Sequence, residues 1–185
     1  MRKLSSFTFT TLNGFFKGLN EDTSWHVHGE EENQFSQQSL KKDHILLFGR
    51  KTYEMMVGFW SQPIAAELFP EVAAAINKAE KIVFSNTLKE ASWNNTSVIS
   101  GDIIPQIKNL KQTATKDLTI LGSGSIITQL SNADLIDEYG IMVDPVIIGQ
   151  GTPLFSGVNK VIELELAETR AFKSGVVLLV YKRII

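Results

Sequence analysis

Three short stretches of the sequence combine residue types that can bind a phosphate group. In residues 118–130, LTILGSGSIITQL, a strand-like apolar run meets a turn of small residues that opens an apolar segment with helical spacing. The turn consists of Gly122, Ser123, Gly124 and Ser125, and Ile126 follows it. Such a turn leaves backbone N–H groups free at the positive end of the helix dipole, and glycine lets an anion approach them closely. An ordinary tight turn has the same composition, so the case for phosphate depends on the other two stretches.

The second stretch is basic, and the third carries short hydroxyl and amide side chains. The apolar run 44–48 leads into Gly49, Arg50, Lys51 and Thr52, which open a helical segment. The apolar run 81–84 ends in Ser85, Asn86 and Thr87. Adjacent cations at a helix N-terminus are unfavourable for the helix itself, and a bound anion would remove that penalty. A solvated Arg-Lys pair on a loop is the alternative interpretation.

The elements that position these turns follow a regular order. A first strand at residues 4–11 is followed by several strand–helix units, and two β-rich runs, 161–172 and 176–183, form a hairpin at the end. This order predicts an α/β fold with a mostly parallel, twisted central sheet, helices on both faces and an antiparallel C-terminal hairpin at the edge. Ligands of such sheets bind at the carboxyl ends of the strands. The three turns should therefore converge, and together they suit a dinucleotide.

The composition is that of an ordinary globular protein. Of the 185 residues, 43% are hydrophobic and 21% charged, and the formal net charge is -2. We therefore expect no nucleic-acid partner and no membrane association. The absence of cysteine excludes a cysteine nucleophile and a zinc–thiolate site, and it fits an intracellular setting. We expect a single domain over residues 1–185, located in the cytoplasm.

Residues 14–32 form an irregular stretch without hydrophobic periodicity. Loops of this length in compact domains often bind ligands or act as lids. Trp25 could wall a flat ligand or simply anchor the loop to the core. A helix is predicted from Glu30, where three consecutive carboxylates suit the helix dipole.

Five segments in the same order resemble the dihydrofolate reductase superfamily. The similarity is greatest to the branch that contains the reductase domain of the riboflavin-synthesis deaminase-reductase. The segments span nearly the whole chain and are TLNGFFKG near the start, FGRKTYEMM at 48–56, KIVFSNTL at 81–88, LTILGSGSIITQL at 118–130 and LIDEYGIMVDPVIIGQGTPLF at 135–155.

The resemblance implies an NADPH-dependent reductase that carries hydride to a small heterocycle such as a pterin or a ribosylaminopyrimidine. By the family pattern, residues 49–52 would lie near the cofactor phosphates and residues 85–87 would hold the adenosine side with its 2′-phosphate. Residues 122–126 would cradle the pyrophosphate and approach the nicotinamide. The residues themselves agree, because Arg50 and Lys51 supply cations for the extra phosphate of NADPH.

The substrate pocket is expected between the 14–32 loop, the helix that begins near Tyr53 and the Gly122 turn. Asn13, Trp25 and Tyr53 are the predicted substrate-binding residues. Asn13 stands where members of this branch often have aspartate. In folate-reducing relatives a buried carboxylate five residues after a tryptophan holds the substrate and assists its protonation. Glu30 follows Trp25 at that spacing and is the candidate catalytic residue, although Glu31 and Glu32 stand beside it.

Other features of the sequence suggest alternative functions. A Rossmann dehydrogenase would use Gly122 and Gly124 with Asp144 on the ribose, but Ile127 occupies the position of the third small residue. His26, His28 and Glu30 stand at alternate positions, a spacing that zinc ligands can have. No second cluster of ligand residues accompanies them, so we expect no metal. A serine nucleophile lacks its elbow spacing. A nucleotide-binding or sensing protein of the same fold without reductase activity stays open.

A homodimer is expected. Members of this branch are commonly dimeric, and residues 144–155 include an apolar segment, Val146-Ile147-Ile148, that could contribute to the contact.

Overall fold

The computed structural model of the chain describes residues 1–26 and 29–184, and in these residues ten strands and six α-helices are found. The strands are β1 (Leu4–Thr11), β2 (Phe15–Gly18), β3 (Ile45–Gly49), β4 (Lys81–Phe84), β5 (Thr96–Ile99), β6 (Leu118–Leu121), β7 (Glu138–Asp144), β8 (Gly151–Pro153), β9 (Leu164–Ala171) and β10 (Val177–Arg183). The helices are α1 (Glu30–Leu40), α2 (Arg50–Trp60), α3 (Pro63–Leu68), α4 (Pro70–Lys78), α5 (Ile103–Thr113) and α6 (Gly124–Asn132), and a 3₁₀ turn spans Leu19–Glu21.

Eight strands form the central sheet in the order β5-β4-β3-β6-β1-β7-β10-β9. The first six are mutually parallel, and β10 and β9 continue the sheet as an antiparallel hairpin at its edge. Strand β1 lies in the middle, with Leu4 opposite Leu118 on one side and Ser5 opposite Glu138 on the other. The predicted fold class is confirmed.

Helices cover both faces of the sheet, because the apolar residues of the parallel strands point alternately to each side. In β3, Ile45 and Leu47 pack with residues of α5 and α6, whereas Leu46 and Phe48 pack with residues of α2 and α4. Helix α1 lies over the β7–β10 part of the sheet through Phe35. None of the described helices exceeds eleven residues, and none has the length and apolar character needed to cross a membrane.

The irregular stretch expected at 14–32 contains regular structure. Strand β2 pairs with β8 in a separate two-stranded antiparallel ribbon, and the 3₁₀ turn follows directly. These elements are too short to give a periodic pattern, which is why the sequence does not reveal them.

Lys81, at the start of β4, has no exposed surface. Its Nζ donates hydrogen bonds to the carbonyls of Ile76 (3.0 Å), Asn77 (3.1 Å) and Ala79 (2.6 Å), so that it caps the end of α4. The ammonium group also lies 4.8 Å from the ring centroid of Trp93. Burial lowers the pKa of Lys81 to about 8.

The Lys81→Met variant should change how stability depends on pH. The pKa of Lys81 is lowered only in the folded protein, so above pH 8 the unfolded chain holds the proton that the folded one releases. The unfolding free energy of the wild type should therefore rise relative to that of the variant, by roughly 2 kcal/mol between about pH 7.5 and 9.5. Urea unfolding measures this, with Lys78→Met at an exposed position of α4 as the control. Equal pH slopes in all three proteins would contradict the lowered pKa.

Candidate functional site

A cleft of about 790 Å³ opens where β3, β4, β5 and β6 end. We call it the carboxyl-edge cleft, and its defining residues are 49–52, 85–86, 101–103 and 123–126. The three predicted turns thus meet in one place, as the parallel sheet requires. Of the residues predicted at these turns, only Thr87 and Gly122 are not part of the lining. The volume falls within the range of roughly 300–1,000 Å³ typical of ligand sites.

The turn between β6 and α6 has a left-handed backbone at two successive residues. Gly122 has φ +58°, and Ser123 has φ +57° and ψ +61°. A non-glycine residue in this conformation is strained by about 1–2 kcal/mol. The Ser123 hydroxyl accepts a hydrogen bond from the Gly49 N–H (2.8 Å) and lies 3.3 Å from the Leu121 carbonyl, to which it donates. The strained residue therefore joins the ends of β3 and β6.

The first turn of α6 faces the cleft. Ser123 occupies the N-cap position, but its side chain makes no capping hydrogen bond. The first N–H groups of α6 therefore have no capping side chain. Phe16 packs against Gly124 so closely that a Cβ at that position would lie 2.7 Å from its ring. Free N–H groups beside a glycine are suited to an anion.

The β2–β8 ribbon holds Phe16 and Lys17 over this turn. Gly151 of β8 lies directly against the Lys17 carbonyl, and any side chain there would collide with it. The close approach explains a glycine at this position. Both Phe16 and Lys17 line the carboxyl-edge cleft.

Three cations stand at the mouth of the cleft: Lys17, Arg50 and Lys51. Arg50 pairs with Glu54 of the next helical turn, at 2.8 Å. Glu21 accepts from both lysines, from Lys17 at 2.6 Å and from Lys51 at 3.0 Å. Both hydrogen bonds lower the pKa of Glu21, and the one from Lys17 has the larger effect. The cations outnumber the carboxylates that pair with them here, so the mouth can attract a further anion.

The hydroxyl and amide turn after β4 is ordered by its own side chains. The Ser85 hydroxyl accepts from the N–H groups of Thr87 (3.2 Å) and Leu88 (3.0 Å). The Asn86 side-chain oxygen accepts from the Gly101 N–H at 2.7 Å and so ties this turn to the one after β5.

Sequence reasoning missed the turn after β5 as part of the site. Gly101, Asp102 and Ile103 line the cleft, and Asp102 caps α5 by accepting from the Ile104 N–H at 2.9 Å. The signal was present, since this is a strand–turn–helix junction like those at Gly49 and Gly122.

A larger cavity, of about 1650 Å³, lies along the sheet face that carries α1, α2 and α4. We call it the sheet-face groove. Its walls include Phe7, Phe9, Trp25, His26, Met56 and Phe59. It shares Phe16, Thr52, Ser123 and the three cations with the carboxyl-edge cleft, so the two cavities meet. Aromatic and thioether walls with a few polar groups suit a flat heterocycle.

Of the predicted substrate-binding residues, only Trp25 lines the sheet-face groove. Tyr53 is 3% exposed, and its hydroxyl accepts from the N–H groups of Ser92 (2.9 Å) and Trp93 (3.2 Å) in the core. The Asn13 amide holds the loop after β7, donating to the Ile148 carbonyl at 2.8 Å. Asn13 and Tyr53 line neither cavity, and their polar atoms bond backbone groups that are distant in the sequence.

The three consecutive carboxylates of α1 have different surroundings. Glu30, the predicted catalytic residue, is exposed at the first position of the helix and does not line the groove. Glu32 is 4% exposed, lines the groove and accepts a hydrogen bond from the Ser174 hydroxyl. Glu31 accepts from the Lys173 N–H at 3.0 Å. The buried carboxylate is thus Glu32, and it ties α1 to the β9–β10 turn.

His26 forms a buried pair with Asp144 at the carboxyl end of β7. Its Nδ1 lies 2.8 Å from Asp144 Oδ2 and 3.0 Å from Oδ1, and the ring stacks on Phe9 with centroids 3.6 Å apart. The side chains are 4% and 0% exposed. Asp144 lies 118 positions after His26, so no local sequence pattern could reveal the pair.

The zinc arrangement considered for His26, His28 and Glu30 includes His28, which lies outside the described residues. Within residues 1–26 and 29–184, no group of three histidine or acidic side chains is placed to hold a metal ion.

The sheet order, the helices on both faces and the antiparallel edge are those of the dihydrofolate reductase-like fold. The chain belongs to the RibD C-terminal domain family, whose model matches residues 2–178. It is 33% identical over 175 residues to the uncharacterized protein YyaP of Bacillus subtilis (strain 168), covering 92% of this chain and 89% of that one.

Solved structures share the fold at lower identity. A protein from Shewanella sp. PV-4, named provisionally for riboflavin biosynthesis, superposes with a TM-score of 0.78 at 20% identity, and both chains are covered completely. The Thermotoga maritima diaminohydroxyphosphoribosylaminopyrimidine deaminase/5-amino-6-(5-phosphoribosylamino)uracil reductase gives a TM-score of 0.70 at 13% identity. In that comparison 99% of this chain matches 57% of the other.

The hydrogen bond between Gly49 and Ser123 should be measurable as stability. Ser123→Ala keeps the strained backbone and leaves a part-buried N–H without its acceptor, which should lower the unfolding free energy by about 0.5–1.5 kcal/mol. Ser123→Gly loses the same bond but relieves the left-handed strain, so it should be less destabilising by about 1 kcal/mol. Urea unfolding of both variants tests this, and an alanine variant as stable as the glycine variant would contradict the strain.

Proposed function

We infer that this protein is an NADPH-dependent reductase that transfers hydride to a small heterocyclic substrate. The observation that carries the proposal is that the carboxyl-edge cleft, with its cations and its open helix terminus, meets an aromatic-walled groove at Thr52 and Ser123. A dinucleotide in the cleft would place its nicotinamide at this junction, facing a flat ring in the groove. Membership in a family of reductase domains supports the same chemistry.

Different residues of the cleft would bind different parts of the cofactor. We assign the pyrophosphate to the first turn of α6, where Gly124 and Ser125 offer backbone N–H groups. Ser85 and Asn86 lie where the adenosine side would bind, and Arg50 and Lys51 supply the positive charge for a 2′-phosphate.

The proposed substrate class is a pterin or a 5-amino-6-ribosylaminouracil. The Thermotoga protein named above is a reductase of the phosphorylated form of the latter, and a structural neighbour from Corynebacterium diphtheriae is named a pyrimidine reductase-like protein. The walls of the sheet-face groove fit the flat ring that these compounds share.

A titration with NADPH and, in parallel, NADH tests the cofactor. Nicotinamide fluorescence should rise on binding, and NADH should bind more weakly because it lacks the 2′-phosphate. Arg50→Ala and Lys51→Ala should each weaken NADPH binding about tenfold or more, since each removes a charge-assisted hydrogen bond. Lys108→Ala, an exposed lysine of α5, is the matched control and should bind like the wild type.

Oxidation of bound NADPH on adding 5-amino-6-(5-phosphoribosylamino)uracil or a dihydropterin tests the reaction. A protein that binds NADPH but oxidises it with neither compound would favour the alternative, a nucleotide-binding or sensing protein of the same fold. Failure to bind either NADPH or NADH would contradict the reductase and would mean that the fold serves another purpose.

A homodimer is proposed through the segment after β7. Ile147 is 69% exposed and Phe155 42% exposed, which leaves apolar surface uncovered on this segment. Light scattering should give twice the chain mass of 20.6 kDa, and Ile147→Asp should shift the protein to the monomer. Ile64→Asp, at an exposed position of α3, is the control. A wild-type mass of one chain would contradict the dimer.

The cytoplasmic location stays a prediction.

A further inference from the structure

Hydride transfer to a C=N or C=O group needs a proton donor as well as a cofactor. The electron pair of the double bond moves to nitrogen or oxygen as the carbon accepts hydride, and a proton must reach that atom. Glu30, the donor suggested by the sequence, is exposed and outside the groove. Glu32 lines the groove, but its carboxylate holds Ser174.

His26 has both the chemistry and the position for this role. Its imidazole lines the sheet-face groove and stacks on Phe9. The Gly122 N–H donates to the Phe7 carbonyl at 2.9 Å, which fixes the β6–α6 turn beside Phe7. Phe9 follows two residues later on the same face of β1, roughly 7 Å farther along the strand. A flat ring beside the turn would therefore lie next to His26.

Asp144 makes the imidazole suitable for proton donation. A carboxylate beside Nδ1 keeps a proton on that nitrogen and orients the ring. The donor role then falls to the other ring nitrogen, Nε2. Asp144 belongs to β7 and stands opposite Thr11 of β1, so two central strands fix its position.

We propose that His26, positioned by Asp144, donates the proton in the reduction, an inference that rests on the proposed function. Hydride passes from C4 of the NADPH nicotinamide to the electrophilic carbon of a C=N or C=O group in the groove. The π electron pair moves to the heteroatom, which takes the proton from His26 Nε2. NADPH is oxidised to NADP⁺, the substrate gains two electrons and two hydrogens, and water restores the proton to His26.

Single-turnover hydride transfer from NADPH to 5-amino-6-(5-phosphoribosylamino)uracil tests the assignment. His26→Ala should slow transfer about a hundredfold or more, with NADPH binding unchanged, because positioned acids contribute about 10²–10⁴. Imidazole added to this variant should fill the space left on Phe9 and restore the rate. Asp144→Asn should also slow transfer, and the double variant should be no slower than His26→Ala, because Asp144 acts through His26.

Lys108→Ala is the matched control. This lysine is exposed on α5 and lines neither cavity. Its removal should leave the transfer rate unchanged, and imidazole should have no effect on it.

The outcomes separate the two proposals. A His26→Ala rate equal to that of the wild type would overturn the assignment and leave the reductase intact. Slow transfer together with weakened NADPH binding and no rescue by imidazole would make the pair a structural anchor and also overturn it. A wild type that binds NADPH but transfers no hydride to this compound would remove the proposed substrate, and the role of His26 with it.

Discussion

The hydrogen bond from the Gly49 N–H to the Ser123 hydroxyl is the contact on which the carboxyl edge of the sheet depends. It joins the ends of β3 and β6, and each of these strands opens directly into a helix that lines the cleft. Ser123 can reach Gly49 because its backbone is left-handed, a conformation that the chain retains despite its cost. The cations at the start of α2 and the N–H groups at the start of α6 are thereby held in one fixed arrangement.

The sheet-face groove is assembled differently, from parts that are far apart in the sequence. Its floor is the aromatic face of β1, and one wall is α1, which Glu31 and Glu32 attach to the β9–β10 turn. The segment that carries Trp25 and His26 reaches the sheet through Asp144. A change in the β9–β10 turn, whose Lys173 and Ser174 do not line the groove, can therefore alter it, because α1 would move with its anchors.

The sequence was informative wherever local pattern decides structure. Turns of small, basic or hydroxyl residues after apolar strands have a recognisable composition, so the Gly49, Ser85 and Gly122 turns could be placed at one edge. Side-chain partners were not predictable, since Tyr53 turned inward to Trp93 and the buried carboxylate of α1 was Glu32 rather than Glu30. Spacing along a chain cannot tell which of three adjacent carboxylates faces a cavity. That choice depends on residues from distant strands.

The central place of β1 has a consequence for how the chain is made. The Ser5 hydroxyl donates to the Leu118 carbonyl, 113 positions later, so β1 has no partner in the central sheet until β6 has been synthesised. At about 5–20 residues per second, this wait is roughly ten seconds. Strands β3, β4 and β5 can pair with one another during that time. Strand β1, with its alternating phenylalanines, then inserts beside β6 and is enclosed only when β7 arrives, so the sheet-face groove acquires its floor only after helices α1, α2 and α4 have been made.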